Sequence, residues 1–323
     1  MLARIISSGR TDIGKRRDSN QDHFLIADLY NAMSLESTSL KLDSRLHGTS
    51  HGKLLMVADG MGGHAGGSRA STLAIDLLVK QLLDCMHCFF HLDAHSEERE
   101  QYFIEDLKRM MQKTHEAIEK ESNETENKGM GTTLTMSYVT WPWMYVVHAG
   151  DSRCYLMRGN RILQLTNDHT VTQQLIENGM PADEAARSPW NNVLYNALGA
   201  GGSSVRAEIQ KVQLNPGDFV LLCSDGLNRH VSDGDITNVL QQVSEPTVAC
   251  QQLIDLANER GGQDNVTVVV AKVLEPESSD SSTAITAEIT REYAGTDTTK
   301  SSPARERAHD TDEHPIHDTL EFK

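Results

Sequence analysis

Two kinds of hydrophobic pattern divide the chain into helical and extended stretches. Apolar residues recur every three or four positions from Ser68 to about Leu92 and again from about Glu98 to Glu121, which predicts two long amphipathic helices. Short apolar or alternating runs bounded by glycine, proline and asparagine predict strands. These strands are expected at residues 5–10, 24–27, 54–58, 131–139, 144–149, 154–157, 205–214, 219–224 and 266–273.

Three shorter helices are expected in the second half of the chain. The first covers residues 166–179 and begins with a capping signal, Thr-Asn-Asp. The other two cover residues 232–243 and 246–260, with Ser232 as the cap of one and Pro246 at the start of the other. The sequence therefore predicts a fold that contains both helices and strands.

Three stretches lack a sustained pattern. Residues 29–53 are polar and predict an excursion between two strands. Residues 180–202 are irregular and rich in Asn, Ala and Gly, which is typical of a movable flap beside a site. Residues 275–323 are rich in Ser, Thr and acidic side chains, so they are expected to be a disordered hydrophilic tail behind a globular domain at 1–274.

Composition limits the partners of the chain. Its formal net charge of -16 opposes nucleic acid and anionic lipid, and the longest basic cluster, at residues 15–17, is too short for duplex binding. We interpret that cluster as one anion site. No apolar run reaches about 18 residues, so neither a membrane span nor a signal segment is predicted. A soluble, cytoplasmic monomer is expected.

Five cysteines form no even framework, which favours reduced thiols. Cys85 and Cys88, followed by His91 and His95, offer half of a zinc motif as an alternative. However, Cys85 lies on the apolar stripe of the first long helix, and no second CxxC completes a zinc site.

The sequence M-V-A-D-G-M-G-G-H-A-G-G at residues 56–67 suggests metal chemistry. An apolar run ends on Asp59, and the following glycines let the backbone approach an ion, so the Gly60 carbonyl can become a ligand. One acid cannot hold a metal by itself. Further acids at predicted strand ends or turns are Asp22, Asp151, Asp225 and Asp264.

Asp59, Asp225 and Asp264 lie in three distant segments, each beside Gly or Asn. If their strands share one edge of a core, the carboxylates converge, and their repulsion is tolerated when divalent cations lie between them. Two such cations about 4 Å apart would generate a hydroxide and clamp a phosphoryl oxygen. Arg17 supplies a planar fork for other phosphate oxygens, although a surface turn with a salt bridge also explains this segment.

Six motifs resemble the ordered set of the PPM-type, or type 2C, metal-dependent serine/threonine phosphatases, in their bacterial branch. They are R-x-x-N-Q-D (17–22), V-A-D-G-M-G-G-H (57–64), G-M-G-T-T (129–133), A-G-D-S-R (149–153), L-C-S-D-G-L (222–227) and G-G-Q-D-N-V-T (261–267). The resemblance implies an α+β fold, a four-layer αββα sandwich of two antiparallel sheets flanked by helix pairs. A flap subdomain is implied at residues 166–202.

The same resemblance implies two Mn²⁺ or Mg²⁺ ions per site, and a third, weaker ion in bacterial members. Asp59 would bridge both ions, the Gly60 carbonyl would bind one, and Asp225 and Asp264 would hold the other. Asp151, together with Asp225, would bind the third ion. Two catalytic roles are also implied: Asp22 would anchor metal-bound waters, and Arg17 would bind the phosphoryl group.

Several positions depart from the family pattern. Met61 stands where eukaryotic members carry a histidine proposed as the general acid, so the leaving group would take its proton from a metal-bound water or from a neighbour, for which His64 is our candidate. Gln21 replaces an acid that eukaryotic members use on one metal. Ser188 and Asn191 stand where bacterial flaps often show His and Arg.

The implied reaction is hydrolysis of phosphoserine and phosphothreonine on proteins by a metal-bridging hydroxide, reversing bacterial Ser/Thr kinase signalling. The implied partners are phosphorylated proteins, including a kinase. Two alternatives stay open: a catalytically weak phosphoprotein-binding module of this fold, and a phosphatase of a small phosphorylated metabolite.

Overall fold

The computed structural model describes residues 4–31, 49–63, 65–84, 97–185, 187–190, 193–200, 202 and 204–274. The chain divides into two compact units, Met1–Pro276 and Glu277–Lys323. The second unit lies wholly outside the described residues, and so does the predicted disordered tail at 275–323. Within the described ranges, no helix is both long and apolar enough to cross a membrane.

Eleven strands are found in the described part of the chain. They are β1 (Ile5–Asp12), β2 (Asp22–Asn31), β3 (Thr49–Met61), β4 (Gly131–Thr132), β5 (Leu134–Thr140), β6 (Trp143–Ala149), β7 (Arg153–Arg158), β8 (Arg161–Gln164), β9 (Glu208–Gln213), β10 (Phe219–Cys223) and β11 (Val266–Val273). One sheet has the order β1-β11-β10-β7-β8, and the other has the order β2-β3-β5-β6-β9 with β4 paired to β3. Every pair of neighbouring strands is antiparallel.

Seven helices lie in the described ranges. They are α1 (Gly66–Asp84), α2 (Glu97–Glu124), α3 (Val171–Glu177), α4 (Ala182–Ala185), α5 (Asp225–Asn228), α6 (Asp233–Gln242) and α7 (Pro246–Glu259). Ser232 and Asp235 form a capping box at the start of α6, and a proline opens α7. The capping box and the proline fix the two helix starts that the sequence predicts.

Three apolar layers define the sandwich. One lies between the two sheets and includes Leu55, Val57 and Leu222. The second lies between the β2–β9 sheet and helices α1 and α2, and the third lies between the β1–β8 sheet and helices α6 and α7. β3 contributes to two layers, because Met56 and Ala58 face the helices, which explains its unbroken apolar run. The predicted αββα sandwich is confirmed.

Two predicted element boundaries are wrong. The run that contains Asp59 does not end the strand, because Gly60 and Met61 continue β3 by pairing with β4. Helix α3 begins at Val171, with Thr170 as its cap. The predicted cap residues have other partners: Thr166 Oγ1 accepts a hydrogen bond from the Cys154 amide, and Asp168 forms an ion pair with Arg153.

Two other boundaries move by a few residues. The polar excursion predicted at 29–53 is partly regular, since β2 extends to Asn31 and β3 starts at Thr49. The intervening residues 32–48 lie outside the described part of the chain. The acid predicted at the end of β10, Asp225, is instead the first residue of α5, which follows that strand after Ser224.

Candidate active site

An open cavity of about 710 Å³ lies at one end of the sandwich and is lined by acids and arginines. The acids are Asp18, Asp59, Asp151, Asp225 and Asp264, and the arginines are Arg16, Arg17 and Arg229. Gly60, Met61 and Gln21 also contribute to its wall. Four of the acids predicted from the sequence therefore share one cavity.

The backbone of Asp59 is fixed by the strands on both sides of it. Its amide donates to Thr133 Oγ1 at 3.0 Å, and its carbonyl accepts from the Thr133 amide and from Thr132 Oγ1, both at 2.9 Å. Across the sheet, Asp59 lies opposite Asp22 in the β2–β3 register. The two carboxylates are thus held as a cross-strand pair.

Asp22 is buried behind the cavity and interacts with two hydroxyls. Ser224 Oγ donates to its Oδ2 at 2.6 Å and Thr267 Oγ1 donates to the same atom at 2.8 Å. Its other oxygen, Oδ1, is buried and has no hydrogen-bond partner among the described residues. Burial raises the pKa of Asp22 to about 6, although the two hydroxyls oppose that shift.

The acids interact directly with one another. The charges of Asp22 and Asp225 both act on the Asp59 carboxyl. Burial, and then the charges of Asp22 and Asp225, raise the pKa of Asp59 well above its usual range. Burial and the charge of Asp225 likewise raise the pKa of Asp151 to about 7. Carboxylates from β2, β3, α5 and the β6–β7 turn therefore meet.

Two Asp-Gly pairs bring backbone close to the acids. A Cβ at Gly60 would collide with the carbonyl of Gly67, and a Cβ at Gly226 would collide with the carbonyl of Asn265. Glycine is needed at both positions because another backbone segment passes at contact distance. The recurrence of Asp-Gly at 59–60 and 225–226 thus has a steric cause.

Two arginines bind the acids on the α5–β11 side. Arg17 Nε and Nη2 donate to the two carboxylate oxygens of Asp264, each at 2.7 Å. Arg229 Nη2 donates to Asp225 Oδ2, and its Nη1 lies 3.4 Å from Asp264 Oδ2. The salt bridge that the sequence offered as the alternative for Arg17 is therefore present, with Asp264 as its partner, inside the cavity rather than apart from it.

The loop that carries Arg17 is held by Asn265. Asn265 Oδ1 accepts from the Gln21 amide at 2.8 Å, and its Nδ2 donates to the carbonyls of Ile13 and Ser19. In the sequence, Asn265 is visible only as one residue of the motif at 261–267, and the motif alone predicts no role for it. The same holds for Ser224, Thr133 and Thr267, whose hydrogen bonds to Asp22 and Asp59 cross long sequence separations. Arg229 was missed altogether.

The oxygen atoms around the cavity suit a hard divalent cation, since carboxylate and carbonyl oxygens are the ligands that Mg²⁺ and Mn²⁺ favour. Asp22 and Asp225 each have one buried carboxylate oxygen without a hydrogen-bond partner among the described residues. Within those residues, no three His, Cys, Asp or Glu side chains converge closely enough to hold one ion. Any ion held here would therefore complete its shell with carbonyl oxygens and water.

Some predicted site residues lie apart from this geometry. His64, the candidate general acid, and Asn191 lie outside the described residues, as do both cysteines and both histidines of the zinc half-motif. Ser188 is described, and its Oγ accepts from the Trp190 amide at 3.3 Å, within the flap. Three other flap residues, Val193, Leu194 and Ala200, line the cavity.

The amino-acid sequence matches a known protein family and its members. The family model described as protein phosphatase 2C matches residues 40–262. The chain is 38% identical over 225 residues to the serine/threonine protein phosphatase PstP of Mycobacterium tuberculosis, which covers 69% of this chain and 41% of that protein. The chain thus spans less than half the length of that relative.

Solved structures show the same architecture. The serine/threonine phosphatase of S. agalactiae superposes with a TM-score of 0.69 at 29% identity, covering 84% of this chain and 100% of that one. The catalytic domain of PstP in complex with two manganese ions superposes with a TM-score of 0.63 at 32% identity, covering 85% and 100%.

Proposed function

Because the chain belongs to the protein phosphatase 2C family, we propose that it hydrolyses phosphoserine and phosphothreonine on proteins. The observation that carries the proposal is that Asp59, Asp151, Asp225 and Asp264 line one cavity beside Arg17, with Asp22 opposite Asp59 on the neighbouring strand. Mutual repulsion on this scale is relieved by divalent cations. When bound, such ions supply Lewis-acid polarisation of a phosphoryl oxygen and of water.

Asp59 would contact both cations, the Gly60 carbonyl would contact one of them, and Asp225 and Asp264 would hold the other. The presence of two manganese ions in the PstP catalytic domain supports two ions here, either Mn²⁺ or Mg²⁺. Asp22, held by Ser224 and Thr267, accepts hydrogen bonds and orients water near Asp59.

Arg17 is the proposed phosphoryl-binding group. Its guanidinium already binds a carboxylate in side-on geometry, and a phosphoryl group presents two oxygens with the same spacing to such a fork. The Arg17 side chain is 55% exposed, so a substrate can reach it from solvent. The binding step then exchanges Asp264 for substrate at this guanidinium.

Phosphorylated proteins are the proposed substrates because the relatives that match this chain are named serine/threonine phosphatases. The cavity is open and is bordered by flap residues, which suits a side chain presented by a larger molecule. A Ser/Thr kinase and its targets are the proposed partners.

The test compares turnover of a phosphothreonine peptide, p-nitrophenyl phosphate and sugar phosphates, with and without Mn²⁺. We expect Mn²⁺-dependent turnover, fastest on the peptide, that is lost in Asp225→Asn. Faster turnover of the sugar phosphates would overturn the protein-substrate proposal. Binding of the phosphopeptide without turnover of any substrate would indicate a binding module instead.

A further inference from the structure

Arg229 occupies the part of the cavity where the family resemblance expects a third cation. It follows α5 directly, four residues after Asp225, so the two side chains lie on the same face of that turn. Its Nη2 donates to Asp225 Oδ2, while its Nη1 lies 3.4 Å from Asp264 Oδ2. The side chain is 33% exposed and lines the cavity together with Asp151.

The charge of this guanidinium acts on both acids that were expected to bind the third ion. Arg229 forms an ion pair with Asp225, and Asp151 lines the same cavity. A fixed positive charge therefore already lies beside the pair. A divalent ion entering between Asp151 and Asp225 would have to displace Arg229 from Asp225 Oδ2 or lie beside a like charge.

Arg17 does not duplicate this arrangement. It extends from the loop before β2, and its two-pronged contact is with Asp264 alone. Arg229 extends from the turn that carries Asp225 itself, so its contact is local and persists wherever that turn is folded. The two arginines thus bind the same side of the cavity from different elements.

We propose that Arg229 replaces the third cation in this chain, so that the protein binds two divalent ions and not three. The guanidinium pairs with Asp225 and supplies a positive charge to the cavity wall that it shares with Asp151, in place of a metal. This inference rests on the proposed metal-dependent function. It is an alternative to the expectation, taken from bacterial members, that Asp151 helps to bind a third ion.

Isothermal titration calorimetry with Mn²⁺ tests the proposal on the full chain. We expect two ions per chain for the unmodified protein and for Arg229→Lys, which keeps the charge. Arg229→Ala should gain a third Mn²⁺ site that is weaker than the first two. Its affinity should be at least tenfold higher than that of any third site in the unmodified protein. The double variant Arg229→Ala/Asp151→Asn should return to two ions.

Asp151→Asn in the otherwise unmodified chain gives an independent measurement that does not need the Arg229 variants to fold. We expect it to leave the stoichiometry at two. A stoichiometry of three that falls to two in Asp151→Asn would overturn the proposal, and so would three ions bound equally well with and without Arg229. If the unmodified chain binds no Mn²⁺, the proposed metal-dependent function fails and this inference fails with it.

A matched control is Arg69→Ala. Arg69 forms a similar two-pronged pair with Glu121, between helices α1 and α2. Its removal should leave the Mn²⁺ stoichiometry at two. A third site gained in Arg69→Ala would show that loss of any positive charge has this effect, and it would overturn the specific role of Arg229.

Discussion

The two sides of the cavity hold their carboxylates in different ways. On the β2–β3 side, Asp22 and Asp59 lie opposite each other, and the side chains that donate to Asp22 are the neutral hydroxyls of Ser224 and Thr267. On the α5–β11 side, Asp225 and Asp264 interact with guanidinium groups. The acids on the α5–β11 side therefore have arginine counter-ions. The repulsion between the acids on the β2–β3 side is relieved only by protons or by added cations.

This difference shows where cation binding stabilises the protein most. Neutral hydroxyls stabilise a carboxylate less than a guanidinium does, so the β2–β3 pair keeps most of its repulsion. Both acids of that pair have raised pKa values, with burial as the first cause. A divalent cation at Asp59 would remove that repulsion. The following variants test the comparison from the strongest effect to the weakest.

Asp59→Asn is expected to have the largest effect. Asp59 lies between Asp22 and Asp225, and no arginine replaces its function, so kcat should fall by about 1,000-fold or more. Mn²⁺ affinity should fall as well, as measured by calorimetry. Turnover within tenfold of the unmodified protein would contradict the role of Asp59.

Asp218→Asn is the matched control for that variant. Asp218 is a buried acid that pairs with Arg158 at 2.7 Å, and neither residue lines the cavity. Its substitution should lower the melting temperature and leave Mn²⁺ affinity unchanged. An equal loss of Mn²⁺ affinity in both variants would mean that removal of any buried carboxylate disturbs the site.

Arg17→Ala should have a smaller effect, because it removes a charge-assisted contact to substrate but no acid. We expect kcat/KM to fall by roughly 10- to 100-fold, mainly through KM, for the loss of a two-pronged contact. Steady-state kinetics on a phosphothreonine peptide measure it. Unchanged kinetics would remove Arg17 from the site, and Arg69→Ala again serves as the control.

The pH dependence of stability reports on two acids with raised pKa values, Asp22 on the β2–β3 side and Asp151 in the β6–β7 turn. The folded pKa of Asp22 is about 6 and that of Asp151 is about 7, both above the usual value of 3.8. Their contribution to the free energy of unfolding is therefore fully present below about pH 4. It is lost as pH rises through about 6 and 7, by about 1.4 kcal/mol per pH unit for each proton concerned.

This dependence can be measured by urea unfolding in EDTA at pH 4.5 to 7.5. Asp22→Asn should make the decrease shallower by about 2 kcal/mol across the range, since it removes one of the acids whose pKa is raised. Saturating Mn²⁺ should also flatten it, because cations replace the protons. Parallel pH profiles for the unmodified protein and Asp22→Asn would contradict the assignment.

Ser224→Ala should have the smallest effect. It removes one of the two hydroxyls that donate to Asp22, for an expected loss of about 1–2 kcal/mol in the free energy of unfolding at neutral pH. Ser137→Ala is the control, because that buried hydroxyl has no partner among the described residues. We expect it to be neutral or stabilising. Equal losses in the two variants would mean that the bond to Asp22 contributes nothing.

Much of the fold could be predicted from the sequence, because its signals are local. The unbroken apolar run at 54–58 and the stripes of α1 and α2 specify a strand buried on both faces and two amphipathic helices. The resemblance to type 2C phosphatases, which rests on six short motifs, is confirmed by the family match. The cap predicted at Thr166 failed because side chains there bond to β7 across the fold, and no local pattern reports such contacts.

The cavity residues that belong to a repeated sequence motif could be predicted. The residues that reach the cavity only through contacts between distant segments could not. Asp59 and Asp225 are visible as two Asp-Gly pairs. Arg229 was missed because Asp225 was interpreted as the end of a strand, which hides the spacing of four residues between them. A helical turn after Ser224 would have placed Arg229 on the same face as Asp225. Ser224 and Thr267 meet Asp22 across more than 200 residues, which no spacing rule predicts.

The backbone of Asp59 lies inside a hydrogen-bonded sheet, with consequences for hydrogen–deuterium exchange. The Thr133 amide, which donates to the Asp59 carbonyl, can exchange only when that bond opens. In the middle of a sheet such opening approaches the free energy of global unfolding. This amide should therefore remain protected after chelation of the cations. The protein would then recover its ions by rebinding alone, without refolding the strand that carries its central ligand.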